Sequence, residues 1–261
     1  MGPLNDDATP TEHGFVSYVP EADGVRAFWL DGRQMADGGD MTLRTAWVGR
    51  QVGPGEVLDD RVCECCSTAA ASTDQGPVVV FRDRGPEEIR DIGIVRRAGD
   101  GWTATTIVAN DDWRIEGCPV NGPEVAAEGD HVAVAWYTAG GSGPKVQIAF
   151  SSDAGESFGP PRVVDSGRPL GRVDLVWDGI GNAIVSWLEG GGEQAEIRLR
   201  RVTPGMDLGE ASVVASTSPS RASGFPRLER IADDLYLAWV DHADEESSRV
   251  RILEIPTASL D

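Results

Sequence analysis

The residues with the most distinctive chemistry in this sequence are its four cysteines. They fall in two short segments, with Cys63, Cys65 and Cys66 in one and Cys118 in the other. Full oxidation allows three pairings, and a Cys65–Cys66 bond would close a strained ring, so a bridge between the two segments is expected. Alternatively, the four thiolates, with His13 as a further candidate ligand, would suit Cu(I) or Zn(II), because soft ligands favour soft or borderline ions. Free thiols are a third interpretation, and the C-x-C-C spacing is not that of a zinc ribbon.

A second set of residues carries charge near these cysteines or at corresponding places farther along the chain. Several arginines around one opening would bind a carboxylate, because the guanidinium group makes bidentate hydrogen bonds that lysine cannot make. The alternative is that these arginines form ion pairs with the many nearby acids. The candidate ligand-binding residues are His13, Arg82, Arg84, Asn121, Arg172, Asp174 and Arg227, and Glu116 adds a carboxylate beside Cys118.

The overall charge excludes some partners for such a site. The 261 residues include 23 basic and 43 acidic side chains, for a formal net charge of −20. Nucleic acid and anionic membrane surfaces are therefore excluded as partners, because each phosphate would approach against the protein's own field. The sequence has no apolar run long enough for a transmembrane helix. Residues 1–7 have neither a basic nor an apolar region, so the chain as written carries no secretory signal.

The elements that position these residues follow from an internal repeat. A strong apolar strand ending in an aromatic residue recurs five times, with the aromatics at positions 29, 81, 136, 187 and 239, at intervals of 52, 55, 51 and 52 residues. A shorter strand precedes each one, and an alternating strand follows it, at 41–47, 89–95, 146–150, 195–199 and 249–253. Four short strands per unit at constant spacing predict an all-β propeller.

The predicted propeller is one domain over residues 1–261, with five visible blades. The blades span roughly 13–60, 65–110, 118–166, 171–216 and 222–261. The segment that leads into the first strand of each blade should lie on one rim of the central channel, which would gather the candidate residues at one mouth. Cys66 and Cys118 occupy nearly equivalent positions in neighbouring blades. The last blade shows only three strands, so either residues 1–12 supply the fourth or an N-terminal blade is missing from a six-bladed family.

One turn carries a more specific pattern. The segment 151–158 places Ser151, Asp153, Gly155 and Phe158 in the spacing S-x-D-x-G-x-x-F. Serine and aspartate oxygens at these positions can cap backbone N–H groups, and glycine can take a positive φ. This pattern resembles the Asp-box of sialidase-like propellers. Together with C-E-C-C-S-T-A-A-A and G-C-P-V-N-G-P, it is similar to bacterial BNR-repeat proteins labelled exo-α-sialidase-like.

The resemblance implies a periplasmic or extracellular protein, but the sequence departs from true sialidases. The early R-I-P motif of that family is absent, since Arg114-Ile115 is followed by Glu116 and no other Arg-Ile pair in the sequence is followed by proline. None of the three tyrosines has a recognisable partner glutamate for a nucleophilic role. If the protein is nevertheless a glycoside hydrolase, its catalytic residues would come from Arg172, Arg227, Asp174 and Glu116.

These observations predict a non-catalytic extracytoplasmic propeller that acts as a monomer. Its cysteine- and arginine-lined rim would bind a soft metal ion or a small molecule, including a glycan. A glycoside hydrolase of exo-α-sialidase type is one alternative. A structural or protein-interaction propeller with a disulfide-bonded rim is the other.

Overall fold

The structure is a computed structural model that describes residues 4–242 and 248–260. The described residues form antiparallel sheets joined by tight turns, and their few helical segments are short 3-10 turns. The first sheet has the order β1-β2-β3-β4 and the second the order β5-β6-β7-β8, with β9 also pairing with β7. Their strands are β1 His13–Glu21, β2 Gly24–Asp31, β3 Thr42–Val48, β4 Glu56–Asp59, β5 Ala69–Thr73, β6 Gly76–Arg82, β7 Ile92–Ala98, β8 Gly101–Trp102 and β9 Thr106–Ala109.

The remaining three sheets repeat this arrangement. Their orders are β10-β11-β12-β13, β14-β15-β16-β17 and β18-β19-β20. Their strands are β10 Glu124–Glu128, β11 His131–Thr138, β12 Lys145–Ser151, β13 Arg162–Val163, β14 Pro169–Trp177, β15 Ala183–Gly190, β16 Ala195–Val202, β17 Ser212–Thr217, β18 Arg227–Ile231, β19 Asp234–His242 and β20 Ser248–Pro256. The chain divides into two compact units, one of residues up to 132 with Ser151–Gly159, the other of Ala133–Phe150 and residues from 160 onward.

The second strand of each sheet contributes most to the core, as its apolar sequence predicts. The closing aromatics Trp29, Phe81, Trp136, Trp187 and Trp239 are all buried. A buried indole N–H needs an acceptor, and the side chain two residues later lies on the same face of a strand. Accordingly, Trp29 Nε1 donates to Asp31 at 2.9 Å and Trp187 Nε1 to Glu189 at 2.6 Å. In these two strands the alternation of side chains places a carboxylate acceptor beside the buried indole.

Neighbouring sheets meet along their first strands within each unit. In the first unit, β5 contacts both β1 and β10, and in the second unit β14 contacts β18. The hydroxyl of Thr68, just before β5, donates to the carbonyl of Phe15 in β1 at 2.7 Å. An apolar cluster that includes Phe28, Leu43 and Phe81 fills the space between the first two sheets. The segments leading into these strands are therefore held close together inside each unit.

Three details differ from the sequence prediction. The third strand of the second blade begins at Ile92, not at residue 89, because Pro86–Glu88 forms a 3-10 turn before it. The segment 171–174 lies inside β14, where the pairing register shifts and Arg172 takes a φ of 55°. Residues 4–12 contain no strand, so the described part of the N-terminal segment supplies no fourth strand to the last sheet. That sheet has three strands, as predicted.

Candidate functional site

All four cysteines form disulfides at the start of the second and third blades. Cys63 pairs with Cys66, and Cys65 pairs with Cys118, with Cα–Cα distances of 5.7 and 6.1 Å. The expected bridge between the two segments is thus present. The internal repeat places Cys66 and Cys118 at nearly equivalent positions of neighbouring blades, whereas the structure joins Cys65 to Cys118. The reason is local: Cys66 is buried beside Cys63, while Cys65 lies nearer the surface.

Three of the four sulfur atoms form a compact group. The Sγ atoms of Cys63, Cys65 and Cys66 all lie within 4.8 Å of one another. In the disulfide form these sulfurs are not thiolates, which are the form that ligates Cu(I) or Zn(II). The oxidised cluster therefore does not fit a soft metal ion, and a metal would require reduction first.

A cleft opens beside the Cys65–Cys118 bridge in the first unit. Its volume is about 630 Å³. The bridge forms part of its wall, and charged side chains of both signs form most of the rest. The lining residues are Glu64, Cys65, Arg84, Glu88, Arg90, Glu116, Gly117 and Cys118. The predicted site residues Arg84, Glu116, Cys65 and Cys118 thus lie around one cavity.

Glu88 is the centre of the charge network in this cleft. Its carboxylate accepts hydrogen bonds from Arg84 at 3.0 Å, from Arg90 at 2.6 Å and from Arg61 at 2.8 Å. Hydrogen bonds from Arg84, opposed by partial burial, help lower the pKa of Glu88 to about 2. Arg84 also donates to Glu64 at 2.7 Å. The arginines of the cleft are therefore already paired with carboxylates, as the ion-pair alternative predicted.

The turn that presents Glu88 has an unusual backbone. Glu87 and Glu88 have φ values of 60° and 59°, in the left-handed region that non-glycine residues rarely adopt. Such conformations persist where the surrounding structure holds them, and they are common at functional sites. Here the arginine contacts to Glu88 and the hydrogen bond from the N–H of Ile115 to its carbonyl provide that support. Glu88 is not among the ligand-binding residues predicted from the sequence, although the two glutamates after Arg84 were a visible signal.

Two further carboxyl groups near the cleft were not predicted as site residues. Burial, together with the nearby charge of Asp59, raises the pKa of Asp83 to about 6. Burial also raises the pKa of Asp91, which accepts the backbone N–H groups of Asp112 and Trp113 at 3.2 Å. These contacts fix the segment 111–116 that leads to the cleft. Neither Asp83 nor Asp91 lines the cleft; instead, both help to position its walls.

Arg82 and Asn121 have structural contacts in this structure. Arg82 is 1% exposed and donates to the carbonyls of Asn121 at 2.8 Å and Arg90 at 2.6 Å. Its guanidinium also lies over the ring of Trp113, 4.8 Å from the centroid. These contacts tie the segment before β10 to the end of β6. A role of Arg82 and Asn121 in ligand binding would therefore be indirect, because these two residues position the wall of the cleft.

His13 belongs to a separate group of polar residues. Its Nε2 lies 3.2 Å from Asp7 and 3.5 Å from Asp31, and its Nδ1 lies 2.9 Å from the carbonyl of Thr11. Burial opposes ionisation of Asp7, but hydrogen bonds from Thr9 and His13 lower its pKa to about 2. Arg33 Nε contacts the same two carboxylates, at 3.2 and 2.8 Å. His13 thus joins a carboxylate–arginine cluster and not the sulfur cluster.

The remaining charged candidates lie in the second unit. Arg172 donates to the hydroxyl of Ser223 at 2.8 Å and to the carbonyl of Ser220 at 2.9 Å. Burial, reinforced by the charge of Arg221, lowers the pKa of Arg172. Asp174 accepts the N–H of Leu228 at 2.8 Å and lies 3.2 Å from Arg227 Nε, while burial raises its pKa. A common channel mouth for all five lead-in segments stays a prediction.

The turn at 151–158 has the hydrogen bonds that its residue types predict. Ser151 Oγ accepts the N–H of Gly155 at 2.9 Å, and Asp153 accepts the N–H of Ser157 at 2.9 Å. Hydrogen bonds from Ser151 and Ser157 outweigh the effect of burial and lower the pKa of Asp153 to about 2. Gly155 has a φ of 82°, and Phe158 is half-buried beside it. The turn is a structural element of the blade.

These features define an all-β propeller of the kind found in several glycan-active proteins. A Hadza microbial sialidase is 11% identical over 94% of this chain and 56% of its own, with a TM-score of 0.56. The fucose-specific lectin from Aleuria aurantia is 14% identical over 94% and 78%, with a TM-score of 0.53. The GH32 β-fructofuranosidase from Bombyx mori is 14% identical over 94% and 60%, with a TM-score of 0.51.

The comparisons confirm the predicted propeller fold but do not assign a family. The chain spans only 56 and 60% of the sialidase and the fructofuranosidase, respectively. No protein-family model matches the chain. No curated protein is detectably similar in sequence. None of the helical segments in the described part of the chain has the length and apolar character of a membrane span.

Proposed function

We propose that this protein is a non-catalytic, extracytoplasmic propeller that binds a small polyhydroxylated ligand, of the saccharide class, in the disulfide-walled cleft. The observation that carries this proposal is the mixed lining of the cleft. Arg84 and Arg90 offer donors and Glu64, Glu88 and Glu116 offer acceptors around one cavity of about 630 Å³. Hydroxyl pairs on a sugar both donate and accept, so they match such a lining.

The charge balance favours a neutral ligand over an acidic one. Three carboxylates and two guanidinium groups line the cleft, and the arginines are already paired with Glu88. A ligand carboxylate would have to displace an ion pair and approach the remaining acids. Glu116 differs from the other acids, because it is exposed and makes no hydrogen bond or ion pair within the described residues. It is therefore the acceptor most available to a ligand hydroxyl.

The same geometry supports a binding role over a hydrolytic one. A glycosidase needs a carboxylic acid that stays protonated beside the scissile bond. Glu88 is held ionised by its arginines, and Asp83, whose pKa is raised to about 6, does not line the cleft. A lectin and glycoside hydrolases both share this propeller fold, so the fold does not decide between binding and hydrolysis. The proposal therefore depends on the cleft and not on fold similarity.

The test is a screen of neutral and acidic saccharides on a glycan array, followed by calorimetric titration of each ligand found. We expect a neutral saccharide to bind, and Glu116→Gln to weaken it about ten-fold, since hydrogen bonds to charged groups contribute roughly 1.5–3 kcal/mol. Glu128→Gln is the matched control, because Glu128 is exposed and outside the cleft. Unchanged affinity in Glu116→Gln, or turnover of a bound saccharide, would contradict the proposal.

A soft metal site is a second candidate, favoured by the close approach of three sulfurs. Reduction of both disulfides would place the thiols of Cys63, Cys65 and Cys66 in a group already within 4.8 Å, a spacing suited to Cu(I). Anaerobic titration of the reduced protein with Cu(I) should then show one bound ion, and Cys66→Ser should lose it. The oxidised protein is the control and should bind none. Equal binding by both forms would reject this candidate.

A further inference from the structure

We propose that the Cys65–Cys118 bridge is a thiol–disulfide exchange site through which an external dithiol opens the cleft, whereas Cys63–Cys66 is a structural disulfide. The first observation is the difference in accessibility. Cys118 is exposed and Cys65 is half-buried, while Cys63 and Cys66 are each 1% exposed. Exchange requires a thiolate to reach a disulfide sulfur, so access selects the Cys65–Cys118 bridge.

The second observation concerns the segment that carries Cys118. On one side of it, the N–H of Ile115 donates to the carbonyl of Glu88 at 3.0 Å. On the other side, the carbonyl of Asn121 accepts from Arg82 at 2.8 Å. Between these anchors, residues 116–118 are exposed and make no hydrogen bond within the described part of the chain. The disulfide is therefore the covalent tie that holds this stretch against the 63–66 segment.

The chemistry balances with a dithiol as reductant. An external thiolate attacks the Sγ of the exposed residue Cys118, forming a mixed disulfide as the Cys65–Cys118 bond breaks. Cys65 leaves as a thiolate beside the cleft and then takes up a proton. The second thiol of the reductant then attacks the mixed disulfide and frees Cys118. Across both steps, the dithiol loses two electrons and two protons and becomes a disulfide. Cys65 and Cys118 gain those electrons and protons and end as thiols.

The exchange would be reversible and local. The Cys65 sulfur lies 3.8 Å from that of Cys63, so the freed thiol stays in contact with the remaining buried disulfide. That disulfide keeps the 63–66 segment closed while Glu116, Gly117 and Cys118 are released. Because Glu116 and Gly117 line the cleft, reduction should remove one of its walls. This regulatory consequence rests on the proposed saccharide binding, whereas the order of reduction does not.

The order of reduction is tested by trapping the native protein with N-ethylmaleimide across a dithiothreitol series. Tryptic cleavage separates Cys118, in peptide 115–145, from the other three cysteines, in peptide 62–82. We expect Cys118 and Cys65 to be labelled at a dithiothreitol concentration about ten-fold below that needed for Cys63 and Cys66. Simultaneous labelling of all four, or earlier labelling of Cys63 and Cys66, would overturn the proposal.

A parallel arm replaces dithiothreitol with glutathione and distinguishes a small monothiol from a dithiol as the reagent. Persistence of a glutathione adduct on Cys118 would show that the mixed disulfide forms, and that a second thiol is needed to complete the reduction. No adduct and no labelling in either arm would overturn the exchange step itself.

The gating step is tested with double variants in a saccharide-binding assay. Cys65→Ser/Cys118→Ser should lose at least ten-fold in affinity, as should wild type after selective reduction. Glu128→Gln, exposed and outside the cleft, is the control and should retain binding, and circular dichroism checks that each variant folds. If wild type binds no saccharide, the proposed function fails while the labelling order still tests the exchange site. Equal affinity in oxidised and reduced wild type would overturn the gating alone.

Discussion

Removal of the Cys65–Cys118 bridge should produce a large and calculable loss of stability. The bridge joins residues separated by 53 positions in the chain. In the chain-entropy model, closing a loop of this length in the unfolded state contributes about 4 kcal/mol to the free energy of unfolding. Both cysteines lie toward the surface, so serine replaces them with little loss of packing. The variant Cys65→Ser/Cys118→Ser should therefore lose about 4 kcal/mol, almost entirely from the loss of the cross-link.

Urea denaturation followed by tryptophan fluorescence measures this loss. Full reduction with dithiothreitol is the control, because it removes both disulfides from wild type and leaves neither protein with the Cys65–Cys118 cross-link. The difference between wild type and variant should then shrink to less than about 0.5 kcal/mol, the usual size of a surface substitution. A loss below about 1 kcal/mol under oxidising conditions would refute the pairing of Cys65 with Cys118, or the constraint attributed to it. A difference that persists after reduction would show that the side chains and not the cross-link matter.

Asp83, Gly122 and Glu116 can each be tested by a single substitution. Asp83 has a pKa of about 6 in the folded state and an ordinary value of 3.8. Between these values the folded state binds more protons than the unfolded state, so the free energy of unfolding should fall as pH rises from 4 to 6. Asp83→Asn should abolish that slope and gain about 1 kcal/mol at pH 7 in urea denaturation, after allowance for solvent screening. Gly122→Ala would place a Cβ 2.1 Å from the Ser67 carbonyl oxygen and should cost over about 2 kcal/mol in the same assay, whereas Gly101→Ala, with open space, should change little. A fluorogenic sialoside should not be hydrolysed, and turnover that Glu116→Gln abolishes would contradict a binding role.

The repeat made the fold predictable from sequence. Strands such as β2 and β15 were located because each carries a short, largely apolar run that reaches a buried tryptophan, Trp29 or Trp187. The lead-in segments at 63–66 and 117–122 followed from the same repeat, since they occupy equivalent places in neighbouring blades. That is why the cleft-lining residues Cys65, Cys118 and Glu116 could be named together before the structure was known.

The rest of the site depended on geometry that residue spacing does not encode. Adjacent cysteines point in different directions, so spacing could not decide between Cys65 and Cys66 as the partner of Cys118. The position of the Glu88 carboxylate depends on a turn in which Glu88 has a positive φ. The residue type glutamate does not predict that conformation. Likewise, Arg82 had the sequence features of a ligand-binding arginine, but its burial under Trp113 became visible only in three dimensions.

Hydrogen–deuterium exchange with and without the saccharide found by the array locates the binding site on the protein. Binding in the disulfide-walled cleft predicts slower exchange in residues 84–90 and 114–118, on the two walls of the cavity. It predicts no change at a second groove, lined in part by Trp239, Arg251 and Leu253. Protection confined to that groove, with residues 84–90 and 114–118 unchanged, would contradict the account.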